Sequence, residues 1–429
     1  MLKKKILGSL AIMSAILLGL CGNSFAADKQ TTTSNVNGVT ANWEYEVNAS
    51  NQIEELKCKN PAELTGNITV PSSLDGKTVV KLGSGAFKGA KQITGVTIPD
   101  TVKVIDILAF SGCEKLAKVN LGNVERIENL SFEKCTALTN IKIPKTLIKS
   151  GSGVPFSGCT NLKNIELEEG MTEIPYYLCA KTPIEEITIP NTVKVIGLWA
   201  FSGCEKLAKV NLGNVERIEN LSFEKCTALT NIKIPKTLIK SGSGAPFSGC
   251  TNLKNIELEE GMTEIPNYLC SKTPIEEITI PSTVKKIGLW AFNNCTNLKK
   301  ITIPDSVERI EGDWSSTEGL VFENHNEDLT IYCYEGSAAA EYAKKYNIKY
   351  VYLTKTNTAG NTTTGGNTTT DKGNSTSNTQ TNGTKNDTTI ATTGKLPRAG
   401  LNTIVTITII AVIAAGIIYK KYNSYKDIK

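Results

Sequence analysis

The chain of 429 residues contains a single histidine, His325. That shortage excludes most metal triads and both Ser-His and Cys-His nucleophilic catalysis. Zinc spacing is also missing, because none of the twelve cysteines falls in a C-x-x-C pair. The glycine-rich stretches "SGSGVPF" (150–156) and "SGSGAPF" (241–247) lack the Lys-Ser/Thr ending of a phosphate loop and read as turns. No aromatic row accompanies the strand carboxylates Glu166, Glu168, Glu169, Glu257, Glu259 and Glu260, so a glycosidase acid pair is not expected among them. These absences predict a non-catalytic protein with no cofactor and no metal.

A charge bias is missing too. The formal net charge of +5 comes from the ends. Setting aside three Lys in the first 26 residues, and four Lys and one Asp in the last thirty, leaves 40 basic and 41 acidic groups. Such a balance gives no attraction to nucleic acid.

Long apolar runs occur only at the two ends. Lys3–Lys5, the run 6–20 and "NSFAAD" form a secretory signal peptide over 1–26, with cleavage expected between Ala26 and Ala27. Residues 403–419 are mostly Ile, Val, Ala and Thr, a marginal length for crossing ~30 Å of hydrocarbon, and 401–419 is expected as a C-terminal transmembrane helix. Lys420 and Lys421 hold its end inside. Before it stands "TGKLPRAG" (393–400). This three-part tail, 395–429, resembles the sortase sorting signal of Gram-positive bacteria. Leu396, Pro397 and Gly400 match the usual Leu-Pro-any-Thr-Gly, Arg398 fills the variable place, and Ala399 replaces Thr. The resemblance implies a sortase as partner, cleavage after Ala399 and a covalent bond to peptidoglycan. The alternative is a plain membrane anchor.

Between the ends the chain repeats itself. Residues 109–175 and 200–266 differ only at Val154 against Ala245, the mark of a tandem duplication with an offset of 91. Within each block, cysteines fall at 113, 135, 159, 179 and 204, in gaps of 22, 24, 20 and 25. "LAKVNL" and "LTNIKI" alternate strictly, so each unit opens with a short strand whose alternate residues point inward. One coil cannot close a core. Stacked coils can, each burying five or six apolar side chains at ~1.5–3 kcal/mol apiece. About twelve strand positions, from 68–70 to 331–333, predict an array of roughly 50–55 Å. "ANWEYEVNASNQIEELKCK" (41–59) reads as a hairpin turning near "NASN", an N-terminal cap over 27–63. "GSAAAEYAKKYNIKYVYL" (336–353) reads as a helix then a strand, a C-terminal cap. Residues 354–394 switch to Thr, Asn, Ser and Gly and predict a disordered stalk of ~35 Å mean span.

The units "IPDTVKVIDILAFSGC" (98–113), "IPNTVKVIGLWAFSGC" (189–204) and "IPSTVKKIGLWAFNNC" (280–295) closely resemble the BspA-type leucine-rich repeats of bacterial surface proteins. The expected fold is a β-rich leucine-rich repeat solenoid over 64–335. It has parallel strands on one face, irregular or short helical segments on the other, and a cap at each end. In two coils Leu178 and Leu269 are read as replacing Phe before Cys179 and Cys270. The resemblance implies an adhesin or receptor at the wall-anchored surface of a Gram-positive bacterium, with a protein or host-surface ligand. A self-associating envelope component is the alternative.

Neighbouring coils place equivalent Cα atoms ~5 Å apart, within reach of a disulfide. In-register side chains run parallel, however, and an odd eleven cysteines remain after leader removal, so interior free thiols are expected. His325, three residues after Phe322, takes the cysteine slot of the last coil. The candidate ligand-binding face is the outward strand row Asn120, Lys142, Glu166, Thr188, Asn211, Lys233, Glu257 and Thr279. It repeats Asn-Lys-Glu-Thr and presents two equivalent sites ~19–20 Å apart at four strands' separation.

Overall fold

The computed structural model describes residues 29–151, 153–242, 244–312 and 320–354. They form a succession of coils in which each turn of chain stacks on the one before. Among the described residues, twelve short strands lie along the front, from Gly66–Thr69 to Thr330–Cys333. They pair parallel and in register, as in Asn140–Ile143 against Asn164–Leu167, where Lys142 faces Glu166. Burial alternates exposed and buried along these strands, so Ile141 and Ile143 enter the core while Asn140 and Lys142 stay out.

The far side departs from the expectation of irregular or helical chain. A second parallel row runs there, built of two-residue strands such as Val104–Ile105, Arg126–Ile127 and Val195–Ile196. Among the described residues the only helices are Pro61–Glu63 and α1 (Ala338–Lys345), both outside the coils. The reason is register. Stacked coils hold equivalent backbone groups opposite one another, so strand groups bond from coil to coil, while turn bonds such as Ala109 N to Asp106 O close each coil. Even the phenylalanine corner does so: Phe87 N donates to Ala109 O at 2.6 Å and Phe110 N to Ser131 O at 2.6 Å.

Those corner bonds also correct the alignment of two coils. Cys179 N donates to Ala200 O, as Phe110 N does to the residue before Phe132. Cys179 therefore stands in the phenylalanine column and Thr182 in the cysteine column; Leu178 is not a replaced phenylalanine. Cys270 and Thr273 repeat the arrangement, with Cys270 N bonded to Ala291 O. The corrected column runs Cys113, Cys135, Cys159, Thr182, Cys204, with even gaps of 22, 24, 23 and 22. Backbone angles agree, because the residue two beyond the phenylalanine slot is left-handed throughout, at Gly112 (φ 74), Lys134 (φ 57), Lys181 (φ 55) and Gly203 (φ 73).

The core is a column of stacked rings. Phe87 and Phe110 lie 5.1 Å apart and Phe110 and Phe132 5.2 Å, both nearly coplanar in orientation. The column continues to Phe156, is interrupted by Cys179, resumes over Phe201, Phe223 and Phe247, is interrupted by Cys270, and ends at Phe292 and Phe322. Each end is closed by an edge-on ring: Trp43 at 5.8 Å from Phe87 and Tyr342 at 5.8 Å from Phe322.

Trp43 belongs to a three-stranded cap: β1 (Gln30–Val36), β2 (Val39–Val47) and β3 (Ile53–Cys58). β1 adds a strand to the expected hairpin, and its Thr-rich sequence buries little. Its signal is Asn37–Gly38, a two-residue turn with φ of 54° and 81°. At the other end Ser337 caps α1 by accepting a hydrogen bond from Ala340 N at 3.2 Å. The strand Lys349–Tyr352 then extends the front sheet.

Candidate ligand-binding face

The outward strand row is held in place by the residues on either side of each member, which are buried except for the half-buried Val119 and Val210 before Asn120 and Asn211. Lys142 Nζ lies 3.0 Å from Glu166 Oε1, both side chains more than half exposed. In the second copy Lys233 Nζ lies 3.5 Å from Glu257 and 3.6 Å from Glu259. The hydrogen bond to Glu166 raises the Lys142 ammonium above its ordinary value. Glu259 is held below the usual carboxylate range, first by the Lys236 backbone N–H and then by the lysine charges beside it. The asparagines of the row serve the turns. Asn120 Oδ1 accepts from Gly122 N at 3.0 Å and Asn211 Oδ1 from Gly213 N at 3.1 Å. Thr188 pairs in register with Asn211, and Thr279 with Thr302. Adjacent ion pairs, Lys163–Glu185 at 3.2 Å and Lys254–Glu276 at 3.7 Å, widen the strip. The result is a polar, ion-paired surface in two copies.

The carboxylates flanking the row also bond to the backbone of the neighbouring coil. Glu168 Oε2 accepts from Lys145 N and Glu259 Oε2 from Lys236 N, each at 2.9 Å. These bonds tie one coil to the next. Gly151 is required by the same close stacking: a Cβ there would come within 2.7 Å of Asn129 N.

Cysteine has a role that packing alone does not describe. Cys113, Cys135 and Cys159 donate to the carbonyls of Phe87, Phe110 and Phe132 at 3.3, 3.3 and 3.1 Å. All eleven described cysteines are buried and free. Burial pushes the Cys113 thiol up to about 12 and those of Cys204 and Cys295 up to about 11. The hydrogen bond to Cys159, followed by burial, raises Cys135 further. Such thiols are poor nucleophiles. His325 donates from Nδ1 to Phe322 O at 2.8 Å, half-buried in the last coil. Among the described residues no three His, Cys, Asp or Glu side chains gather as a metal site.

Ala26, Ala27, residues 355–394 of the stalk, Leu396–Gly400 and the apolar segment 401–419 lie outside the described residues. No helix of the described residues is long and apolar enough to cross a membrane.

Six copies of the BspA type leucine-rich repeat match residues 80–208 and 216–339, more than half of the chain. The chain belongs to that family. Solved structures are also similar to this chain. A leucine-rich repeat protein from Bacteroides ovatus is 26% identical over 72% of this chain and 71% of its own, with a TM-score of 0.43. A leucine-rich cell surface protein from Faecalibacterium prausnitzii is 24% identical, covering 74% and 98%, with a TM-score of 0.34. The pneumococcal vaccine antigen PcpA is 17% identical, covering 77% and 100%, with a TM-score of 0.40. A search of curated proteins finds no match.

Proposed function

We propose that this chain is a cell-surface adhesin or receptor that binds a protein or host-surface ligand without catalysis. The observation that carries this reading is the twice-presented polar strip of Lys142–Glu166 and Lys233–Glu257, set on rigid strands and exposed to solvent. A ligand with its own repeat engages both copies, and the second contact gains from effective concentration. The leader over 1–26 exports the chain. The Thr-rich segment 354–394 spaces the solenoid from the wall. The tail 395–429, with Leu396–Gly400 as the sortase site, attaches it to peptidoglycan of a Gram-positive cell, and the segment 401–419 holds it in the membrane until then. Family membership in the BspA-type repeats supports a binding role.

The test is a screen of the purified protein against matrix proteins and surface extracts by surface plasmon resonance. Saturable binding to a defined component supports the adhesin. Self-association alone favours a structural envelope component, and turnover of wall glycan or peptide would overturn the non-catalytic reading.

A further inference from the structure

A cleft of about 860 Å³ opens at the turn corner near Tyr177 and Trp199. Its origin is a shortened turn. Most coils pass from the cysteine slot to the strand through two residues, as in Cys113-Glu114-Lys115-Leu116. Here the path is Thr182-Pro183-Ile184, with one. In the earlier coil Glu114 pairs with Lys91 at 2.8 Å and Lys115 Nζ donates to Gln92 at 2.7 Å. Their counterparts Glu205 and Lys206 face the shortened turn and have no such partner among the described residues. Lys181, at the cleft margin, is likewise without an ion pair among them. Lys225 is neutralised by Glu224 at 3.5 Å. Two unpaired ammonium groups against one unpaired carboxylate leave the cleft positive.

The aromatic pair occupies a backbone slot common to the coils. Tyr177 (φ 57) and Trp199 (φ 53) occupy a left-handed slot that holds Gly85 in the first coil and Leu108, Leu130 and Leu221 elsewhere. The rings stack at 4.9 Å and are half-buried.

We propose that this cleft binds a short saccharide bearing a carboxylate. Lys181 and Lys206 face the acid, Glu205 accepts from ring hydroxyls, the Ser202 hydroxyl, which donates to Glu224 at 3.0 Å, accepts from one more, and Tyr177 and Trp199 supply apolar surface. A peptide strand finds no purchase. The bordering backbone donors are already used, with Lys181 N bonded to Ser202 O at 2.8 Å and Gly203 N to Glu224 O at 2.7 Å. The volume falls within the ~300–1,000 Å³ of small-ligand sites. The second copy keeps Tyr268 and Trp290, stacked at 4.9 Å, but has Thr296 and Asn297 for Glu205 and Lys206. It binds acid more weakly. This site is separate from the strand face and does not depend on it.

The experiment is calorimetric titration of the full chain with sialyl-, glucuronyl- and galacturonyl-terminated trisaccharides, and with lactose as the neutral probe. At least one acidic glycan should bind saturably and at least fivefold more tightly than lactose. Trp199→Leu and Lys181→Gly should each weaken it tenfold or more. Both install residues that other coils carry at the same slot, Leu108 and Gly112, so an unchanged melting curve is expected. Absence of saturable binding by every acidic glycan, equal binding of lactose, or undiminished binding by Trp199→Leu would overturn the proposal.

Discussion

The Cys204 thiol donates to the carbonyl oxygen of Cys179 at 3.0 Å. It is the bond that Cys135 makes to Phe110 at 3.3 Å, one coil apart in each case. Cys179 thus takes a phenylalanine's place in the corner ladder while leaving its ring out of the core. The interruption recurs at Cys270, where Cys295 donates at 3.0 Å. The solenoid is consequently built of four-coil cassettes, each ending in a coil whose aromatic ring stands outside, at Tyr177 and Tyr268.

Alkaline pH should weaken the fold steeply. The thiols of Cys113, Cys204 and Cys295 keep their protons in the native state up to about 12, 11 and 11. An unfolded thiol ionises near about 8.5. Their stabilising contribution is therefore complete below that value. It is lost as pH rises toward the native values, at about 1.4 kcal/mol per pH unit for each thiol. Urea midpoints measured from pH 7 to 10.5 should fall, and Cys113→Thr with Cys204→Thr should flatten the fall. A flat profile in the parent protein would contradict the buried-thiol account.

A whole cassette should be removable. Deleting residues 110–200 joins Ala109 to Phe201 and leaves only coil–coil interfaces that the intact chain already contains, because 109–175 and 200–266 match at all but one position. The shortened protein should unfold cooperatively, with a denaturant slope lower by about a quarter. Deleting 110–196 breaks the coil register and should abolish folding. Circular dichroism in urea separates the two; equal behaviour would sink the cassette description.

Charge reversal on the strand face should affect binding more than stability. Lys142 and Lys233 are each 56% exposed, so Lys142→Glu and Lys233→Glu should cost at most ~1 kcal/mol apiece. Against a repetitive ligand identified by the screen, the double variant should lose far more affinity than either single one. Losses that are equal and additive would argue against bivalent engagement.

Anchoring is testable by fractionation. Replacing Leu396 and Pro397 together with alanine should move the protein from the wall to the medium or to detergent-extractable membrane. Protein that stays covalently wall-bound would remove the sortase reading.

Much of this was legible before any coordinates. Strand alternation in "LTNIKI" sets Ile141 and Ile143 inside because a two-residue period leaves only one apolar face to bury. The 91-residue identity makes the array repetitive, since identical segments fold into identical coils. Spacing alone misaligned Leu178, because the shortened turn at Thr182-Pro183-Ile184 and the cysteine in the phenylalanine column both shift the count.

By itself, then, the sequence determined a stacked, capped solenoid with an outward Asn-Lys-Glu-Thr row, because local periodicity dictates which side chains must be buried. Only the tertiary structure decided the second strand row, the thiol-to-carbonyl bonds and the open corner at Tyr177 and Trp199. Each of these depends on which atoms of one coil lie opposite those of the next, and that register is a property of the stack.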